Sequence, residues 1–184
     1  MADTATLLTS FRFELRLLRS PDVIAARQKL AGGREGYSAP QGATALGTGG
    51  FQECTGLEIE MDIQEYQEGG RNNGTVRRVG RAKYQPLLLK RGMFFRTDGD
   101  GQVDTALWHW MQRIVNGERP VARYDGVIQV MGADNTVRAT WIFDRGLPAK
   151  IRGPELNAKT GEIAIEELTI AHEGLRLLPE ETRS

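Results

Sequence analysis

Leu57-Glu58-Ile59-Glu60-Met61-Asp62-Ile63-Gln64 alternates apolar with acidic or amide side chains without a break. Successive side chains of an extended chain point to opposite sides, so Leu57, Ile59, Met61 and Ile63 share one face. Glu58, Glu60, Asp62 and Gln64 share the other. A helix would scatter both sets around its circumference, so residues 57–64 are predicted to form a half-buried strand.

The same period appears on both sides. Phe11, Phe13, Leu15 and Leu17 alternate with Arg12, Glu14 and Arg16, which predicts a strand over 11–18. Residues 84–91 give a third, centred on Leu87-Leu88-Leu89, with Pro86 placing its start at an edge or bulge. Helical spacing occurs in one convincing place, about 105–116, where Val103, Leu107, Trp110, Met111 and Ile114 repeat every three or four positions. Asp104 is the predicted N-cap, Val103 and Trp108 a hydrophobic staple, and Asn116-Gly117 the stop. Strands are predicted again at 122–131 and 136–144, joined through the turn Gly132-Ala133-Asp134-Asn135, with a short extended piece at 147–151. The last strand spans 161–172. There Ile163 and Ile165 set one phase and Leu168 and Ile170 the other, which predicts a β-bulge near Glu166-Glu167. The fold class is therefore mainly β: an antiparallel β-barrel or sandwich with one packed α-helix.

One domain is expected over residues 1–184, long enough to bury a substantial core. An inserted segment at 19–50 interrupts it. Ser20-Pro21-Asp22-Val23 is suited to cap a short helix through Lys29. The run from Gly32 to Gly50, rich in Gly, Ala and Ser, is too poor in apolar residues to order alone and reads as partly flexible. There are 24 basic and 24 acidic residues, so net charge gives no general pull toward nucleic acid or anionic membrane. No stretch approaches the ~18 apolar residues of a membrane span, and no secretory signal is evident at the N-terminus. The single cysteine, Cys54, fits synthesis in a reducing cytosol and reads as a buried small apolar residue.

Catalytic chemistry is hard to assemble from this inventory. Two isolated histidines, His109 and His172, with one cysteine do not make a metal site, and no cofactor motif is present. His109 lies between helix positions that face the core and is expected to point sideways or outward. Glu68-Gly69-Gly70-Arg71-Asn72-Asn73-Gly74 lacks the Gly-Lys-Ser/Thr ending of a phosphate loop and precedes no helix. Glu58 and Glu60 lie about 6.6–7 Å apart along a strand, which overlaps glycosidase carboxylate spacing, yet nothing else marks a sugar site. The expectation is a protein that is not an enzyme.

Charge order is more informative. Glu53, Glu58, Glu60, Asp62, Glu65 and Glu68 are followed at once by Arg71, Arg77, Arg78, Arg81, Lys83, Lys90 and Arg91. The two groups either pair across adjacent strands or meet head to tail between identical subunits, a contact that builds rings and stacks. Nucleic-acid binding by Arg71–Lys83 is a third reading, disfavoured because only Tyr84 offers a stacking ring.

Several strings, in order, resemble the phage tail tube family: Phe51 to Glu58, Tyr66-Gln67-Glu68-Gly69-Gly70-Arg71-Asn72, Leu87-Leu88-Leu89-Lys90-Arg91-Gly92, Leu107-Trp108-His109-Trp110-Met111 with Asn116-Gly117, Trp141-Ile142-Phe143 with Leu147-Pro148-Ala149-Lys150, and Glu166 to Leu175. The resemblance covers about 51–175 and the first strand. It implies β-barrel subunits that form hexameric rings, join strands into an inner barrel and stack as a tube inside a contractile sheath. The implied partners are further copies of the chain, the sheath protein, baseplate or tube-cap proteins, and luminal cargo or DNA. Under this resemblance Glu58, Glu60 and Asp62 are candidate lumen residues. Glu68, Gly69, Gly70, Arg71, Arg77, Arg78, Arg81 and Lys83 are candidate ring-stacking residues, in a loop from Tyr66 to Lys83. The same fold serves type VI secretion rings, which gives a cargo carrier as an alternative. The long link at 19–50 departs from the usual pattern and suits a specialised tube initiator or baseplate adaptor.

Overall fold

The computed structural model describes residues 8, 12–20, 46, 50–67, 69–70, 74–95, 101–159 and 161–178. Within them lie β1 (Phe13–Arg19), β2 (Phe51–Thr55), β3 (Ile59–Tyr66), β4 (Val76–Tyr84), β5 (Leu87–Gly92), α1 (Ala106–Val115), β6 (Tyr124–Met131), β7 (Val137–Arg152), β8 (Ile165–Ala171) and β9 (Gly174–Leu177). Among the described residues the fold is mainly antiparallel β with one helix, as its alternating segments predict. The expected helix at 22–29 and the glycine-rich run fall outside the described residues, apart from Leu46 and Gly50.

Seven strands form one sheet in the order β1-β6-β7-β8-β5-β2, with β9 added to β7. The predicted pieces 136–144 and 147–151 are one long strand, β7. Its first part pairs with β6 and β9, and from Leu147 it pairs with β8. The corner between the two parts is Arg145-Gly146. Arg145 has φ +55°, and its N–H donates to the buried Asp125 carboxylate at 2.8 Å. Ser20 Oγ donates to the same Asp125 oxygen at 2.5 Å. A Cβ on Gly146 would stand 2.8 Å from both Ile170 Cγ2 and Phe143 Cε2, so the close turn requires glycine. The bend wraps the sheet around a core of Leu15, Leu17, Leu87, Leu89, Ile128, Phe143, Leu168 and Ile170, with Leu107 and Trp110 of α1 added. Each is an apolar residue in the inward phase of its own element.

Three sequence expectations need correction. No bulge lies near Glu166-Glu167: β8 pairs with β5 in unbroken register, and the shift on its other side falls between Pro148 and Lys150 of β7. The apparent phase change arises because Glu166 itself points into the core. It is 1% exposed and alternates inward with Leu168 and Ile170, while Ile163 lies outside the strand and exposed. Second, the predicted strand 57–64 begins at Ile59 and is preceded by a separate strand, β2. Third, the segment expected to be a loop from Tyr66 to Lys83 becomes strand β4 from Val76 onward.

The helix starts close to where its sequence indicates, with a different cap. Thr105 occupies the cap position without a side-chain bond, and Asp104 Oδ1 accepts the Ala106 N–H at 3.0 Å. Val103 bridges to Phe95, and Trp108 donates its Nε1–H to Glu166 at 2.9 Å, in place of the expected staple. Gly117, at φ +83°, ends the helix as expected. At the other predicted turn, Asn135 takes φ +61° between β6 and β7.

Candidate functional site

β3 and β4 form a two-stranded sheet of their own, and no strand of the main sheet pairs with either. Their register places cross-strand partners on a common face: Ile59 opposite Tyr84, Met61 opposite Ala82, Ile63 opposite Val79 and Glu65 opposite Arg77. The other face carries Glu60 opposite Lys83, Gln64 opposite Arg78 and Tyr66 opposite Val76. The register shifts between Met61 and Ile63, so that Gly80 and Arg81 together oppose Asp62. This bulge keeps Val79 and Ala82 on the apolar face although they are three positions apart. Spacing by three also hides β4 from a search for period two.

The apolar face is open to solvent. Ile63 is 56% exposed and Val79 69%, and Ile59, Met61 and Leu57 are exposed as well. Alternation had implied half burial. Within a single chain nothing covers this face among the described residues.

The expected charge groups meet largely inside the hairpin. Lys83 Nζ stands 2.6 Å from Asp62 Oδ1, and this hydrogen bond raises the lysine pKa above its ordinary value. Arg77 Nε donates to Glu65 at 3.2 Å, and the Arg78 guanidinium lies 5.1 Å from the centre of the Tyr66 ring. Cross-strand pairing therefore accounts for Arg77 and Lys83. Arg81, aimed by the bulge, has no ion-pair partner among the described residues. Glu58, just before β3, and Glu60 are exposed. Gly69 and Gly70 lie in the connection between β3 and β4, with Gly70 at φ +89°. Glu68 and Arg71 lie outside the described residues.

The root of the hairpin is tightly built. A Cβ on Gly56, at φ +92°, would stand 2.3 Å from Pro86 O, so only glycine lets the two legs lie together. Gln85 N–H donates to Glu58 O at 3.4 Å. His172, from the β8–β9 turn, places Nε2 3.1 Å from Gln85 O and Nδ1 3.0 Å from Gly174 O. Its ring packs 5.6 Å from both the Tyr84 and Phe143 rings. Burial pushes its pKa below the ordinary imidazole value, against the pull of the two carbonyls and Asp144.

A second polar cluster was not apparent from sequence. Arg91, 2% exposed, donates Nε–H to Glu166 at 2.5 Å and Nη1–H to Asp104 at 3.1 Å. With Trp108 on the second Glu166 oxygen, these bonds tie α1 to β5 and β8. The available signal was phase, since Arg91 follows Leu87 and Leu89 at intervals of two. Elsewhere His109 is exposed on α1, and burial pushes the Cys54 thiol up to about 11, which keeps it protonated. Among the described residues no group of three His, Cys, Asp or Glu side chains is placed to hold a metal ion. No helix among them is long and apolar enough to cross a membrane.

The sequence pattern of the T4-like virus tail tube protein gp19 family matches residues 11–176. The chain belongs to that family. No curated protein matches this tail tube family member. Its fold is similar to that of a chain in the anti-feeding prophage (AFP) baseplate, with TM-score 0.67, 19% identity and coverage of 95% of this chain and 97% of that one. It is likewise similar to a chain of the AFP tube-terminating cap, with TM-score 0.64, 16% identity and coverage of 97% and 95%. A chain of the PVC sheath–tube complex, from an extracellular contractile injection system in the extended state, gives TM-score 0.62, 18% identity and coverage of 94% and 91%. At these identities the likenesses carry the fold.

Proposed function

We propose that this tail tube family member is a non-enzymatic structural subunit of the inner tube of a contractile, phage tail-like injection particle, forming hexameric rings that stack into a hollow tube. The exposed apolar face of the β3–β4 hairpin carries the reading. A lone two-stranded sheet is marginal in water, and a contiguous exposed apolar face invites a partner. Both outer edges of this hairpin also lack a strand partner among the described residues, and closure between copies would satisfy them. A second copy covers Ile59, Met61, Ile63 and Val79, and the opposite face, with Glu60, Asp62, Gln64, Arg78 and Lys83, lines a polar lumen for cargo or DNA. Membership of the family and the fold shared with chains of a sheath–tube complex, a baseplate and a tube cap support sheath, baseplate and cap proteins as partners.

A tube-initiator or baseplate-adaptor role is the second reading, favoured by the likeness to an AFP baseplate chain and by the long link at 19–50. Electron microscopy of purified protein separates the two. Extended hollow tubes support the repeating subunit, and rings that never extend support the adaptor. Ile63→Lys with Val79→Lys keeps the monomer folded and abolishes ring formation. Rings that form unchanged in that variant remove the hairpin face from assembly, and a strict monomer at high concentration removes both readings.

A further inference from the structure

The hairpin's attitude relative to the main sheet is set at its root, because no strand of the sheet pairs with it along its length. Among the described residues, one side chain reaches from the β8–β9 turn to that root. His172 lies with Nε2 against Gln85 O, next to the last residue of β4, and Nδ1 against Gly174 O, at the start of β9. Tyr84 flanks the ring from the hairpin and Phe143 from the core. The surroundings are themselves held. Asp144 of β7 is paired with Arg176 of β9, Glu173 N–H donates to Asp144 O at 3.0 Å, and the Glu173 carboxylate takes Arg123 and Arg145 at 2.6 and 2.9 Å. The imidazole is thus anchored on a rigid turn and grips the hairpin through one carbonyl and one ring face.

We propose that His172 is a positioning residue for assembly, fixing the angle at which the β3–β4 hairpin leaves the main sheet. The inference rests on the hairpin face being the surface that meets a second copy. Geometry makes the angle matter. The eight residues of β3 span about 25 Å at ~3.3 Å each, so a pivot of about 10° at the root moves the tip by about 4 Å. That approaches the ~4.8 Å spacing between paired strands, enough to lose register with a neighbour. Core packing elsewhere would survive, since the ring is only half-buried.

The test uses the full chain with His172→Phe, which keeps an aromatic ring and removes both ring nitrogens, and His172→Gln, which keeps an amide donor. Hydrogen exchange is followed by mass spectrometry at a concentration below assembly, and ring formation by sedimentation above it. The expected result for His172→Phe is a main sheet protected as in the wild type, with β3–β4 amides exchanging on the order of tenfold faster, as for loss of one hydrogen bond at Gln85 O. Rings then form only at higher concentration, and His172→Gln lies between Phe and wild type on both measures. Unchanged hairpin exchange overturns the proposal. Faster exchange with unaltered ring formation also overturns it, while leaving the ring reading in place. If His172→Phe fails to fold, the Gln variant decides by the same two measurements. A wild type that never forms rings removes the assembly reading and with it His172's role there, and the exchange comparison then decides whether the residue holds the hairpin at all.

Discussion

The buried Arg91–Glu166 pair gives a sharp quantitative prediction, because both groups are almost wholly shielded from water. Removing one partner from such a pair costs about 3–5 kcal/mol, chiefly from the charge left behind. Glu166→Leu belongs at the lower end, about 3 kcal/mol, since Asp104 still accepts from Arg91 at 3.1 Å. Arg91→Met leaves the Glu166 carboxylate with Trp108 as its remaining partner and belongs at about 3–4 kcal/mol. The double variant removes both buried charges. What remains is a Trp108 N–H without its acceptor, at about 1–2 kcal/mol, and an Asp104 that is partly exposed and can rehydrate.

The double variant is therefore expected to be more stable than either single one. Urea unfolding, followed by tryptophan fluorescence at a concentration below assembly, measures all four proteins without a contribution from ring formation. At roughly 2–4 °C per kcal/mol for a chain of this size, the singles should melt about 6–16 °C below wild type and the double about 2–8 °C below. A double variant as unstable as the sum of the singles would refute the reasoning, because it would mean that the charges contribute through separate packing and not through each other.

Gly126→Ala places a Cβ 1.9 Å from Phe143 Cε1, on a ring that is completely buried, so a loss of about 2–3 kcal/mol is expected; a melting temperature within 1 °C of wild type contradicts it. Arg81→Glu reverses a hairpin cation that has no ion-pair partner among the described residues and should raise the concentration needed for rings. The deficit should shrink as salt increases from about 0.05 to 0.5 M, and equal assembly at low salt removes Arg81 from the contact. Arg77 is a poorer probe, because its reversal faces Glu65 within the same hairpin. His172 titrates below the ordinary value of about 6.5, so the unfolded chain takes up the proton first. Its contribution is complete above about pH 6.5 and is lost as pH falls through the folded value; the wild type should lose stability faster than His172→Gln between about pH 7 and 5, and parallel urea midpoints would exclude this.

Much of the fold was legible in the sequence because most elements obey one rule at a time. Leu15 and Leu17, Leu87 and Leu89, and Leu168 and Ile170 alternate inward as read, and Leu107 with Trp110 marks the helix face. The failures have a common physical cause, a local rule overridden by a distant partner. Glu166 reads as surface until Arg91 is seen beside it, since a buried carboxylate is tolerable only with a partner some 75 residues away in the chain. Val79 and Ala82 read as loop because the bulge opposite Asp62 breaks their period, and a bulge is a property of two strands together. Within the candidate site, the acidic and basic runs were legible as a charge pattern, and Asp62 with Lys83 and Glu65 with Arg77 pair across the hairpin. His172 carried no signal, because its role depends on two backbone carbonyls that have no side-chain signature.

The alternation of residues 57–64 states what the strand requires without stating where it is met. Apolar residues at every second position mean that one face leaves water, and among the described residues of one chain nothing covers that face. Either the pattern is an accident or the burial happens between chains. An accident is the weaker account, because β4 reaches the same face by a different route. Its bulge at Gly80-Arg81 brings Val79 and Ala82 back beside Ile63 and Met61, and Gly80 is needed there, since a Cβ would stand 2.9 Å from Asp62 O. Two strands with different local rules converge on one exposed apolar surface, while the charges on the reverse face pair and stay wet. That division into a side that must be covered and a side that need not be is the amphipathy expected of the wall of a water-filled tube, expressed in a hairpin whose period alone suggests an ordinary half-buried strand.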